Sequence, residues 1–195
     1  MNQQAGCASR LMAHADHASA DAHLFATLIA ARESRDELGL LGLASDRLER
    51  LCARHFGAAR PTVSVVMPNA AKNAGFVDAL VSMLTEHTSS SVDPDDAACL
   101  ATIIARACLR PDHLWRDLGL DGRDDVTRML QRYFPWVIER NIEGLRWKKL
   151  LARELALSLG IEPQPAPGCP GCEDFGQCYR GVEASGIHVS WEPLR

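Results

Sequence analysis

Apolar positions along the chain recur mostly at intervals of three and four, and the breaks between those runs carry helix start and stop signals. Residues 1–20 are polar and alanine-rich and read as a flexible start. A helix is expected over 22–35. A second begins at Ser45, a good N-cap residue, and places Leu48, Leu51, Cys52 and Phe56 on one side. Cys52 on that stripe reads as a small buried hydrophobe. Pro61 and Pro68 bracket an apolar stretch at 62–67 with no second strand to pair with, so it reads as an extended connection. A helix follows over 75–87.

The clearest start signal is Asp93 as cap, Pro94 at the first helical position, and Asp95 and Asp96 at the positive end of the dipole. That helix runs through Leu100, Ile103, Ile104 and Cys108 and stops before Pro111. A short helical piece over 113–118 ends at Gly119, and Asp124 opens another through Tyr133. Pro135 is expected to start the longest helix, 136–159, with Ile138, Ile142 and Leu145 in one apolar run, weak formers at Asn141 and Gly144, and Gly160 as its stop. Beyond it periodicity ends. The pattern predicts an all-α protein: a compact bundle of about six to seven helices over 21–160, preceded by the flexible 1–20 and followed by an irregular cysteine-containing, metal-binding tail over 161–195.

Composition supports helices. Apolar residues make up 47% of the 195, alanine prominent among them, and aromatics only 6%. The net charge of −4 is interspersed, without the basic stripe of a nucleic-acid binder. No run approaches the ~18 apolar residues of a membrane span, and the N-terminus lacks the features of an export signal, which predicts a cytoplasmic protein. Seven cysteines, an odd number in a chain long enough to bury its own core, argue against a disulfide framework.

The candidate chemistry lies in the tail, where Cys169, Cys172 and Cys178 follow the spacing Cys-x2-Cys-x5-Cys. A Pro-Gly turn between the first two thiols folds them toward one centre, and Phe175 and Tyr179 are placed to shield it. Structural zinc wants four ligands, usually from two paired knuckles, and the second knuckle is missing. Three thiolates suit a cuboidal iron–sulfur unit in which each of three irons takes one cysteine and the fourth corner is left open or takes another ligand. The alternative is a zinc-stabilised protein-interaction module without metal-transfer activity. Three histidines near the start, His14, His17 and His23, read as a solvated segment. Cys99 and Cys108, nine apart on one helix, point in different directions. Trp147 reads as a core anchor. Arg146, Lys148 and Lys149 form either a solvated helix face, favourable near a helix C-terminus, or an anion-attracting patch. There is no nucleophile–base pair or phosphate-cradling loop, so no enzymatic activity is expected.

Three blocks together resemble the NifQ family: residues 107–120 (ACLRPDHLWRDLGL), residues 133–141 (YFPWVIERN) with the Arg146-Trp147-Lys148-Lys149 that follows, and the terminal cysteines. The resemblance covers roughly residues 38–180. It implies a small cytoplasmic protein of nitrogen-fixing bacteria that supplies molybdenum for the iron–molybdenum cofactor of nitrogenase. It further implies a 3Fe-4S or Mo-3Fe-4S type cluster on Cys169, Cys172 and Cys178, with molybdate and the nitrogenase cofactor assembly proteins as partners. The family pattern is Cys-x4-Cys-x2-Cys-x5-Cys, and Gln164 stands where its first cysteine would be. Candidate replacements are Cys108, His113 and His188. The resemblance also makes His113 a candidate oxyanion or metal contact, and gives Arg146, Lys148 and Lys149 a candidate role in recruiting molybdate or an acidic partner.

Overall fold

Two helices form the centre of the molecule because they are apolar round most of their circumference, and such helices must be covered on every side. They are α2 (Ala20–Glu33) and α5 (Pro94–Ala107) in a computed structural model that describes residues 3–62, 73–181 and 191. Alanines at 26, 30 and 31 on α2 and at 97, 101 and 105 on α5 are fully buried, and their small side chains let neighbouring helices approach closely. Around them lie α1 (Gln3–Met12), α3 (Ser45–Phe56), α4 (Ala74–Glu86), α6 (Leu114–Leu118), α7 (Arg123–Tyr133), α8 (Pro135–Arg140), α9 (Trp147–Ser158) and α10 (Phe175–Cys178). Seven of the ten α-helices among the described residues have ten or more residues. The described residues are all-helical, as the pattern predicts. Helix α1 packs on α2, and α4 packs on both α5 and α9. No helix among the described residues is long and apolar enough to cross a membrane.

Local signals place most boundaries. Asp93 caps α5 by accepting from the amides of Asp95 (2.9 Å) and Asp96 (3.1 Å), with Pro94 at the first helical position. Gly119 ends α6 in the left-handed conformation, at φ 72°. On α3 the expected stripe is buried, but the cap falls on Ala44 and Ser45 is the first helical residue. The segment 1–20, expected to be flexible, contains α1, and its Leu11 and Met12 are buried. Of the apolar stretch at 62–67, only Thr62 lies within the described residues.

The expected long helix over 136–159 is two helices. Between α8 and α9, Asn141 donates from its side chain to the Leu145 carbonyl (3.0 Å), and Gly144 turns left-handed at φ 64°. The Arg123 guanidinium bonds the carbonyls of Gly144 (3.2 Å) and Leu145 (2.8 Å). Ile142, expected in an apolar run, is therefore 88% exposed at the loop tip. The break also moves the basic cluster. Arg146 occupies the N-cap position of α9 and Lys148 and Lys149 its first turn, the positive end of the dipole, which disfavours cations. A favourable C-terminal location cannot account for them, so specific partners must.

The described stretch of the tail over 161–181 is more ordered than its composition suggests. Cys169–Gly171 form a 3₁₀ turn, α10 follows, and the Gly168 amide donates to the Cys108 carbonyl at the end of α5 (3.0 Å). Trp191 returns to the body, its ring edge-on to Phe76 at 4.7 Å.

Candidate metal centre

The 3₁₀ turn and α10 are two tight backbone reversals separated by a short link, and each carries thiols inward. The Cys172 amide donates to the Cys169 carbonyl (2.9 Å), the Phe175 amide to the Cys172 carbonyl (3.0 Å), and the Tyr179 amide to the Phe175 carbonyl (2.8 Å). Close approach to the body requires glycine at 168, where a Cβ would run into the Arg110 backbone. The result is a cavity of about 90 Å³ lined by Cys169, Cys172 and Cys178 together. A single water needs ~10–15 Å³, so this space suits a group of several atoms.

The other sequence candidates divide. His113, Arg146, Lys148 and Lys149 line the same cavity. Cys108 does not; it is fully buried behind Cys169, and burial pushes its thiol up to about 12. Gln164 is outside the lining, and His188 lies outside the described residues. His14, His17 and His23 join no metal-ligating cluster among the described residues.

Each cation near α9 has an internal partner. Lys148 is buried, donating to the Arg110 carbonyl (2.8 Å) and to the Asp117 carboxylate. Asp117 also accepts from Arg110 Nε (3.1 Å), so this pair braces the residue against which the cysteine turn packs. Lys148 is therefore held as a strut rather than presented on a solvated helix face. Lys149 donates to the Cys178 carbonyl and sits 4.9 Å from the Tyr179 ring centre, closing α10 onto α9. Arg146 pairs with Asp174 (2.9 Å), whose Oδ2 also receives His113 Nε2 (3.1 Å). Asp174 lies between Cys172 and Cys178, so the thiol loop carries the carboxylate that holds both groups.

Burial raises the Cys169 thiol to about 11, and the nearby Lys148 charge partly opposes that rise. Burial raises Cys178 as well, against the pull of Arg146. Such thiols stay protonated at neutral pH unless a cation takes the proton's place, so loading a metal would release protons.

One buried donor in the lining lacks an acceptor among the described residues, the Trp147 indole Nε1–H. The buried Tyr179 hydroxyl has the Cys169 thiol beside it as a neighbour. An unpaired buried donor costs about 1–3 kcal/mol, so one beside three thiols fits a cavity shaped for an acceptor-rich inorganic group. Trp147 was legible in the sequence only as a core anchor, and Asp174 and Asp117 carried no signal at all. A second grouping, Asp112, His113 and Glu173, has ligand atoms within 4.8 Å of one another. Both carboxylates already accept from Arg116, at 3.2 and 2.8 Å, so its guanidinium offsets part of their charge.

The family model described as NifQ matches residues 22–180. The protein NifQ homolog of Sinorhizobium fredii is 36% identical over 146 residues, covering 73% of this chain and 61% of that protein. Protein NifQ of Azotobacter vinelandii is 39% identical over 87 residues, 45% of this chain and 44% of the relative. Protein NifQ of Rhodobacter capsulatus is 27% identical over 140 residues, 71% and 75% of the two chains. The chain thus spans less than two thirds of the first two relatives. No solved structure matches.

Proposed function

The chain belongs to the NifQ family, and from that membership we propose that it is a molybdenum and iron–sulfur carrier supplying the assembly of the nitrogenase iron–molybdenum cofactor. The cargo is an iron–sulfur unit, of 3Fe-4S or Mo-3Fe-4S type, held by Cys169, Cys172 and Cys178. Molybdenum enters as molybdate and leaves to the cofactor assembly proteins. The observation that carries this reading is the three thiols lining one cavity beside the acceptorless N–H of Trp147.

The residues divide the work by their chemistry. Deprotonated Cys169, Cys172 and Cys178 are soft donors suited to iron. Lys148, Arg146 and Lys149 offset the negative charge gathered on three thiolates and bound sulfide. The Trp147 N–H and Tyr179 O–H donate to sulfide or oxo atoms, which are acceptors only. With three thiolates the cluster keeps a corner that thiolate does not saturate, where molybdenum can be taken up and released. Four thiolates would bind more firmly and exchange more slowly. A carrier needs exchange rather than catalysis.

The test is transfer. Protein reconstituted anaerobically with iron, sulfide and radiolabelled molybdate, then desalted, is incubated with a cofactor assembly mixture lacking free molybdate. The label should pass to the assembly proteins, and Cys172→Ala protein treated identically should deliver none. Label that stays with the wild-type chain, or equal delivery by the variant, would refute the carrier role.

A further inference from the structure

We propose that His113 is a ligand of the cargo, bound through Nδ1 and held in register by Asp174, completing a site that has three thiolates; the proposal rests on the carrier reading and specifies its fourth donor. A metal-ligating histidine almost always donates its other ring N–H to a carboxylate or carbonyl, which fixes the tautomer and the ring plane. His113 has that arrangement: Nε2 lies 3.1 Å from Asp174 Oδ2. With the proton on Nε2, Nδ1 carries a lone pair. Its contact is a long one, 3.5 Å from Arg146 Nη1. The ring is further fixed by lying parallel to Trp115, with 6.5 Å between centres.

The position is defined by the same loop that carries the thiols. His113 caps the start of α6 on the body, whereas Asp174 sits between Cys172 and Cys178, so closing the loop brings thiols and carboxylate to the ring together. The independent sign that a ligand belongs in this cavity is Trp147, 7% exposed, with an indole N–H that faces no acceptor.

Other donors fit less well. Cys108 is walled off behind Cys169 and does not reach the lining. Asp112, which does line the cavity, already accepts from the His113 amide (2.7 Å) and from Arg116 (3.2 Å). With each of the three irons met by one thiolate, His113 serves the remaining corner, where a carboxamide such as Gln164 is a poor donor to a soft metal. A metal at Nδ1 replaces the long Arg146 contact, and the guanidinium, still held by Asp174, is then free to donate to cargo oxo or sulfido atoms.

The experiment is pulsed EPR on the anaerobically loaded full chain in a paramagnetic state, grown with natural or ¹⁵N-labelled histidine. Wild type should give a strong nitrogen coupling that changes from the ¹⁴N to the ¹⁵N pattern with the label. His113→Ala should lose both the coupling and most of the iron. His113→Cys, which keeps a soft donor, should retain iron but lose the coupling, so the assignment does not depend on how well the alanine variant folds. Asp174→Asn should weaken iron retention against a chelator by on the order of 10- to 100-fold while keeping a nitrogen coupling. A cluster signal without histidine coupling, or coupling that survives His113→Cys, overturns the ligand assignment and leaves the carrier reading standing. Wild-type protein that takes up no iron–sulfur unit at all overturns both.

Discussion

Replacing Lys148 with methionine separates the two roles its position could have. The side chains of Lys148 and Asp117 are 7% and 9% exposed and form a direct ion pair. Removing one partner of a buried pair costs about 3–5 kcal/mol, because the other charge stays buried without compensation. Asp117 keeps Arg110 Nε at 3.1 Å, and methionine fills much of the lysine volume, so the lower end applies, about 3 kcal/mol. The Arg110 carbonyl also loses its Nζ donor. For a chain of this size, a loss of 1 kcal/mol lowers Tm by roughly 2–4 °C, which gives a fall of about 6–12 °C. Circular dichroism melts of the metal-free protein measure it. A double-mutant cycle with Asp117→Asn isolates the pair, with an expected coupling of at least about 1 kcal/mol. Arg128→Ala, at a largely exposed ion pair, is the control and should stay within about 0.5 kcal/mol of wild type. If Lys148→Met also stays within that margin, Lys148 is a solvated surface charge and the strut beneath the cysteine turn does not exist.

Gly168→Ala should lower stability by about 1–3 kcal/mol and impair iron retention, since its Cβ meets the Arg110 backbone rather than a side chain able to move; an unchanged melt with full iron uptake would contradict the close approach. Trp147→Phe keeps a ring while removing the acceptorless N–H, so the metal-free protein should be no less stable beyond about 1 kcal/mol for lost ring volume, yet should lose cluster faster to a chelator. Equal retention would mean that the indole makes no bond to the cargo. Asp21 accepts from Arg132 (2.6 Å, twice) and from the Tyr133 hydroxyl (2.7 Å), and chiefly the Arg132 bond lowers its pKa below the ordinary 3.8. A lowered carboxylate pKa contributes stability above the unfolded value that is lost as pH falls through the folded one. Asp21→Asn should therefore cost about 1–2 kcal/mol at pH 7, discounted for the exposure of Arg132, and the gap should close as pH falls below 3.8. A gap independent of pH would assign the effect to packing.

The helices were readable where one signal dominated. Asp93-Pro94 and Gly119 mark their boundaries through local backbone chemistry, and tertiary packing did not alter them. The break at 141–146 was readable only as weak helix propensity. What makes it a break is Arg123, which holds two loop carbonyls from another helix, and a sequence window cannot report that contact. That error carried into the site, because it set Lys148 and Lys149 at the wrong end of a dipole. The cysteine spacing pointed to the thiols, and the structure brings them to one cavity with His113. Asp174 and Asp117 were invisible beforehand, since carboxylates in a polar segment carry no pattern until their partners are in place. The acceptorless N–H of Trp147 is likewise a property of the packed molecule alone.

The central claim, that the three tail thiols hold an iron–sulfur cargo, is tested most directly by metal analysis of protein purified anaerobically, comparing wild type with Cys172→Ala. The account predicts iron with acid-labile sulfide, and molybdenum after exposure to molybdate, in the wild type, and loss of most of each in the variant. Full iron and molybdenum in Cys172→Ala, or a colourless wild type holding one zinc and no sulfide, would contradict it.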